Sequence, residues 1–257
     1  MHILAQPSKK TNPRSGLWSN YEGFNMYRDK NDTIEDSFQA FLVEESTFTD
    51  IEEYPIIEEW MLPKQPPKKI MPFDKAINYH GDLRDTYICF YSRDPSFERV
   101  RKSPKRYLPF FKRCAGLIGF DFSIHSDMPL IKQKSQMNDN LSLTYFYGQN
   151  GCPVIPNIRW GIEETAEEYL SAIPKNGLVA IGTHGFCKRT EQKAEWICCL
   201  EKLIRVADPS GIVVYGNEDR SIFEPFKNQC QFFFYEPWYN AHRKKMQTRA
   251  PSPENAV

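Results

Sequence analysis

The segment GFDFSIHSDMP places Asp121, Ser123, His125 and Asp127 at alternate positions in and just after an apolar run. In an extended chain, side chains two apart share a face, so Asp121 and Ser123 project together while Phe120 and Phe122 project to the other side. A carboxylate on the inward face of an apolar strand is costly unless it is hydrogen-bonded, paired or catalytic. Asp121 is therefore the leading catalytic candidate, against the alternative of a carboxylate held by backbone amides or an arginine. Asp127, with Met128 and Pro129 after it, equally reads as the cap of the next helix. Arg93 and Asp94 follow the preceding apolar run, where Asp94-Pro95 also reads as a helix start. If Asp94 and Asp121 face one cleft from neighbouring strands, each raises the pKa of the other, which separates an acid from a base.

NIRW adds Asn157, Arg159 and Trp160: an amide, a guanidinium and a large flat ring. These suit a planar heterocycle or a sugar-phosphate through bidentate hydrogen bonds, charge pairing and stacking. Arg159 has the alternative of an interior ion pair with Asp121. THG supplies Thr183 and His184, the latter a proton shuttle or a structural histidine. GNED (Asn217, Glu218, Asp219) and EPWY (Glu236, Trp238, Tyr239) rank lower.

Together these residue types compose an N-glycosidic bond hydrolase acting on DNA. Asp121 would stabilise oxocarbenium character on the sugar, with Asp94 or His184 moving protons. Ser123, Asp127, Asn157, Arg159 and Arg93 would hold substrate, and Trp160 would stack. That chemistry needs no metal and no cofactor. One alternative is a metal-dependent phosphodiesterase with Asp94, Asp121 and Asp127 as oxygen ligands. The other is a non-catalytic protein that binds a host or phage protein or nucleic acid. No Walker loop, GxGxxG, HExxH or GxSxG stands at a supporting position, so the corresponding enzyme classes lose their usual support.

The elements that must position these residues are six apolar runs: TYICFY (86–91), GLIGFDFSI (116–124), PVIPNIRW (153–160), GLVAIG (177–182), GIVVY (211–215) and QFFFY (231–235). Runs without strict alternation suit strands buried on both faces, and helical stretches between them argue β/α units. The expected fold is α/β: alternating β/α units with a mainly parallel sheet, an incomplete or distorted TIM-like barrel, plus an irregular N-terminal extension. Ligands then bind beyond the carboxyl ends of the strands, where the polar residues above fall.

Residues 1–70 read as a tail, an acidic extension and the proline-rich connector LPKQPPKK (62–69); residues 71–240 as the α/β domain; and residues 241–257 as a disordered basic tail. The acidic segment 44–59 either packs on the body or engages a protein partner. Lys+Arg of 33 balances Asp+Glu of 33, so any nucleic-acid contact must be local, through RVRKSPKRY (99–107) and HRKK (242–245). No apolar run approaches the roughly 18 residues of a membrane span, and the start lacks a secretory core, so the expected location is cytoplasmic, without a membrane partner. The 7 cysteines, with no CxxC pair, read as reduced thiols.

The runs FYSRDPSFERV, GLIGFDFSIHSDMPL, PVIPNIRW and IVVYG together resemble an uncharacterised family of phage, prophage and plasmid proteins, domain of unknown function 4417. The resemblance covers roughly Phe73 to Tyr239 and leaves the N-terminal segment outside. In that family the second strand reads like PDFS followed by DMP. Here the matching residues are Phe120, Asp121, Phe122 and Ser123, then Asp127, Met128 and Pro129, with Gly119 and Phe120 before Asp121 where a proline is more usual. The resemblance implies a mobile-element setting, and hence phage defence, counter-defence or nucleic-acid processing. It implies no reaction, so function rests on the site.

Overall fold

A computed structural model describes residues 39–161, 165–183, 190–216 and 220–240. Its strands are β1 Lys69–Pro72, β2 Thr86–Cys89, β3 Gly116–Ile118, β4 Val154–Ile155, β5 Leu178–Gly182, β6 Gly211–Tyr215 and β7 Phe232–Tyr235. Every pairing is parallel, in a four-stranded sheet ordered β1-β2-β3-β4 and a three-stranded sheet ordered β5-β6-β7. The two sheets touch through an isolated parallel bridge between Asn157 and Ala180, where Ile158 N–H reaches Ala180 O and Ala180 N–H reaches Pro156 O, each at 2.8 Å.

Among the described residues no ladder joins β7 to β1, so the sheet is not closed. That edge is fastened by side chains instead. The Tyr235 hydroxyl donates to Pro67 O at 2.5 Å, the Tyr239 hydroxyl to Asp74 Oδ2 at 2.8 Å, and Lys75 Nζ lies 4.8 Å over the Tyr239 ring.

Two expected strands are much shorter than their apolar runs. Pro153 and Pro156 bracket β4, and proline donates nothing to a ladder. Beyond Ile118 the chain leaves the sheet because helix α4 (Leu130–Gln149) takes over its amides. Phe122 N–H donates to Asn140 Oδ1 at 2.9 Å, Asn140 Nδ2 returns to Phe122 O at 3.3 Å, and Phe120 N–H reaches Thr144 Oγ1 at 3.4 Å. Gly119 permits the turn inward, since a Cβ there would meet Asn157 N at 2.7 Å. The strand missed in the sequence is β1, whose KIMP follows the prolines of the connector and ends in one; as an edge strand it tolerates that composition.

The remaining helices are α1 Phe73–Ala76, α2 Glu98–Lys102, α3 Pro104–Phe111, α5 Ala166–Ser171 and α6 Thr190–Ala207, with a 3-10 segment at Arg220–Phe226. Asp127 does not cap α4. The helix starts at Leu130 behind Pro129 with no side-chain cap bond, and Asp127 is exposed. A turn at His125–Met128 spends those residues, and the Gln133 amide serves the carbonyls of Ser126 and Met128 instead.

Two apolar layers follow from strand alternation. Between strands and helices lie Phe73, Phe90, Phe97, Phe111, Phe120, Phe122 and Tyr147, with Phe90 stacked on Phe120 at 3.9 Å. The opposite faces of the strands gather Ile70, Tyr87, Cys89, Ile118, Ile155, Ala180, Val213, Tyr215 and Phe233 into a second cluster. The N-terminal segment from Gln39 shares the first layer through Leu42, Tyr54, Ile57 and Met61. Ile57 N–H bonds Ala172 O at 2.9 Å and Glu52 pairs with Lys134, so the acidic stretch packs on the body. No described helix is long and apolar enough to cross a membrane.

Candidate functional site

Asp121 sits where the chain leaves β3, with Phe120 and Phe122 anchored in the core on either side, so its side chain turns toward the carboxyl ends of β2 and β4. There Arg159 Nη1 lies 3.0 Å from Oδ1 and 3.1 Å from Oδ2, and Asn157 Nδ2 donates to Oδ1 at 2.8 Å. The pair is largely but not wholly enclosed: the side chains of Arg159 and Asp121 are 22% and 12% exposed. Burial pushes the Asp121 carboxyl above its ordinary value; Arg159 and Asn157 pull it back, and the Asp94 charge adds to the rise. Among the described residues the buried Arg159 Nε has no partner.

Asn157 faces this carboxylate rather than open space. It is buried, its amide also donates to Phe120 O at 3.1 Å, its Oδ1 accepts the Tyr91 hydroxyl at 2.9 Å, and its backbone carbonyl accepts the Tyr169 hydroxyl at 2.7 Å. Its amide hydrogens are thus spent on Phe120 and Asp121. Burial, then the charge of Asp121, hold the Tyr91 phenol well above its ordinary range, which keeps it a donor to Asn157. Tyr91 stacks on Tyr215 at 5.3 Å, and the Tyr215 hydroxyl accepts Trp238 N–H at 2.9 Å.

Asp94 and Ser123 form one unit. Asp94 Oδ2 accepts Ser123 N–H at 3.2 Å and Oδ1 accepts the Ser123 hydroxyl at 3.0 Å, which ties the loop after β2 to the segment after β3. Asp94 opens a short 3-10 turn, Asp94–Ser96, without capping it through its side chain. Trp160 is half-buried against the core, and Arg93, His125 and Asp127 are exposed. Among the described residues no group of three or more His, Cys, Asp or Glu stands together, so Asp94, Asp121 and Asp127 do not gather. His184, Asn217, Glu218 and Asp219 lie outside the described residues, as does HRKK.

The sequence reading missed Tyr91 and Tyr169, both bonded to Asn157. The signal for Tyr91 was present: Tyr87, Cys89 and Tyr91 keep the alternation of β2 into the loop, the same phase logic that paired Asp121 with Ser123. On the flank, α2, α3 and the turn behind them expose Arg99, Lys102, Lys105, Arg106, Lys112 and Arg113.

The chain belongs to the family described as Domain of unknown function (DUF4417), which matches residues 23–233. The match starts well before Phe73, so part of the N-terminal segment lies within the family region, consistent with its packing on the body. Two curated relatives, each called Gene 1 protein, come from Mycobacterium phage D29 and Mycobacterium phage L5. Both are 26% identical over 129 residues, 50% of this chain and 48% and 56% of theirs. The chain spans about half the length of the curated relatives it matches. No solved structure matches.

Proposed function

We propose that this phage-associated chain is an N-glycosidic bond hydrolase acting on DNA, with Asp121 at its centre and the sheet wrapped as an incomplete TIM-like barrel. The observation that carries this reading is the Asp121 carboxylate, held by Asn157 and Arg159 beyond the carboxyl ends of parallel strands. Burial would protonate it, and Arg159 offsets that by favouring the ion. An ionised carboxylate beside a bound sugar stabilises oxocarbenium character as the C1′–N bond breaks. Water oxygen then joins C1′, its proton passes to a base, and the departing nucleobase takes up a proton. Asp94, bonded twice by Ser123, orients the segment that carries Asp121. The barrel reading draws on the cluster of inward side chains contributed by all seven strands and on the Tyr235 and Tyr239 contacts across the open edge.

The test is incubation of wild type and Asp121→Asn with ordinary and phage-modified DNA, with and without EDTA, scoring released bases by mass spectrometry. Base release that the variant loses and EDTA leaves intact is expected; strand breaks that EDTA abolishes would point to metal-dependent phosphodiester cleavage instead. A non-catalytic role in phage defence or counter-defence has one observation in its favour: both oxygens of Asp121 already have donors, as a structural ion pair requires. In that case Asp121→Asn leaves function intact, while neutralising the exposed Glu44, Asp50 and Glu59 abolishes partner binding.

A further inference from the structure

At the carboxyl ends of β5, β6 and β7 a cleft of about 310 Å³ is lined by Thr183, Val214, Gly216, Arg220, Phe223, Phe234 and Glu236, and Asp121 is not among its lining residues. We propose that this cleft binds one phosphate-bearing, planar unit of mononucleotide size, either a free nucleotide or the end of a strand. The inference stands on the cleft alone and does not need Asp121 to be catalytic.

Its walls and its floor differ in chemistry. Phe223 and Phe234 meet edge to face at 5.3 Å, and together with Val214 they offer an apolar surface for a flat ring. Arg220 lies with its guanidinium carbon 4.5 Å over the Phe234 ring, so a cation is parked against that wall. A guanidinium in that position keeps N–H groups for a phosphate, whose oxygens match its fork. Glu236 at the exposed rim accepts hydrogen bonds from sugar hydroxyls or ring amines, and it sets the ligand apart from a bare anion.

The floor is Thr183, which is 1% exposed and whose hydroxyl has no partner among the described residues. Its backbone is not short of bonds, since Thr183 N–H donates to Tyr215 O at 3.1 Å and Gly216 N–H to Tyr235 O at 3.0 Å. Only the side chain is left over, on the lining of a cleft, where a ligand atom can complete it. A Cβ on Gly216 would stand 1.8 Å from that oxygen, so room for the hydroxyl depends on glycine there. At this size the cleft falls at the lower end of small-molecule sites, large enough for a ring and one phosphate.

The test is calorimetric titration of the full chain with 5′-deoxynucleoside monophosphates and, separately, with a 5′-phosphorylated single-stranded oligonucleotide. Arg220→Gln, Thr183→Val and Gly216→Ala are compared, with thermal melting to confirm that each is folded. Saturable binding is expected, weakened at least about ten-fold by Arg220→Gln and several-fold by Thr183→Val and Gly216→Ala. Binding of the oligonucleotide alone assigns the cleft to a strand end; binding of the monophosphates assigns it to free nucleotide; both support the inference. No binding up to about 10 mM, or binding indifferent to Arg220→Gln and Thr183→Val, overturns it. Nucleotide binding without base release from any DNA would keep the cleft and sink the hydrolase, and base release without nucleotide binding would do the reverse.

Discussion

Asp121 and Arg159 have to be judged as a pair. Removing the arginine leaves a mostly buried carboxylate without its cation, while removing both leaves nothing uncompensated. Arg159→Met is expected to cost about 2–3 kcal/mol in denaturant unfolding, below the roughly 3–5 kcal/mol of a fully enclosed pair, because both side chains keep some solvent. Adding Asp121→Asn to it should restore most of the loss. The pH dependence has a definite sign. A carboxyl raised in the folded state favours the protonated fold, so its contribution is complete below the ordinary value of 3.8 and is lost as pH rises through the raised folded value. The stability of wild type relative to Asp121→Asn should therefore decline upward across that window, and unfolding curves at stepped pH check it. The alternation of Phe120 and Phe122 against Asp121 and Ser123 was readable from sequence. The inward turn of Asn157 was not, because it depends on Tyr91 and Tyr169, which come from two other elements.

At the scale of elements, α4 replaces a sheet. Asn140 gives the Phe122 amide and carbonyl the two bonds that a longer β3 would have provided, and it is itself buried. Asn140→Leu keeps the volume roughly but strands both backbone groups, at an expected cost of about 1–3 kcal/mol. Hydrogen exchange should show the Phe122 amide losing protection while β6 keeps its own. This explains why β3 stops short of its apolar run while β5, β6 and β7 lie close to theirs; at β4 the flanking prolines do the same. A run of apolar residues reports burial, and burial beneath a helix reads the same as burial in a ladder. β1 stayed hidden for the opposite reason: the prolines near KIMP argue against a central strand but permit an edge. Closure turns on two seams, β7 with β1 and β4 with β5, and among the described residues neither carries a full ladder, so alternation could suggest a barrel without settling it.

For the whole molecule, a formal charge of zero conceals a division of labour. The described acidic stretch packs on α4 and α5 through Glu52 and Glu168, while α2, α3 and the turn behind them leave six cations exposed on the flank. If DNA is the partner, that flank should carry the salt dependence. Replacing Lys102, Arg106, Lys112 and Arg113 by alanine is expected to lower the slope of log affinity against log salt by about 0.9 for each phosphate that is no longer neutralised. Anisotropy titrations of labelled duplex at several salt concentrations measure it, and an unchanged slope would remove this flank from the interface.

In backbone hydrogen bonds the two sheets meet, among the described residues, through Pro156, Asn157 and Ile158 on one side and Ala180 on the other. That line is a crease with little backbone across it, spanned by two apolar clusters that each draw on both sheets. Asn157 stands on it, and the same residue holds Tyr91 and Asp121. Warming that opens the crease would scatter the polar cluster while each half kept its strands, so the near-ultraviolet circular dichroism of the aromatic side chains is expected to melt several degrees before the far-ultraviolet signal of the backbone.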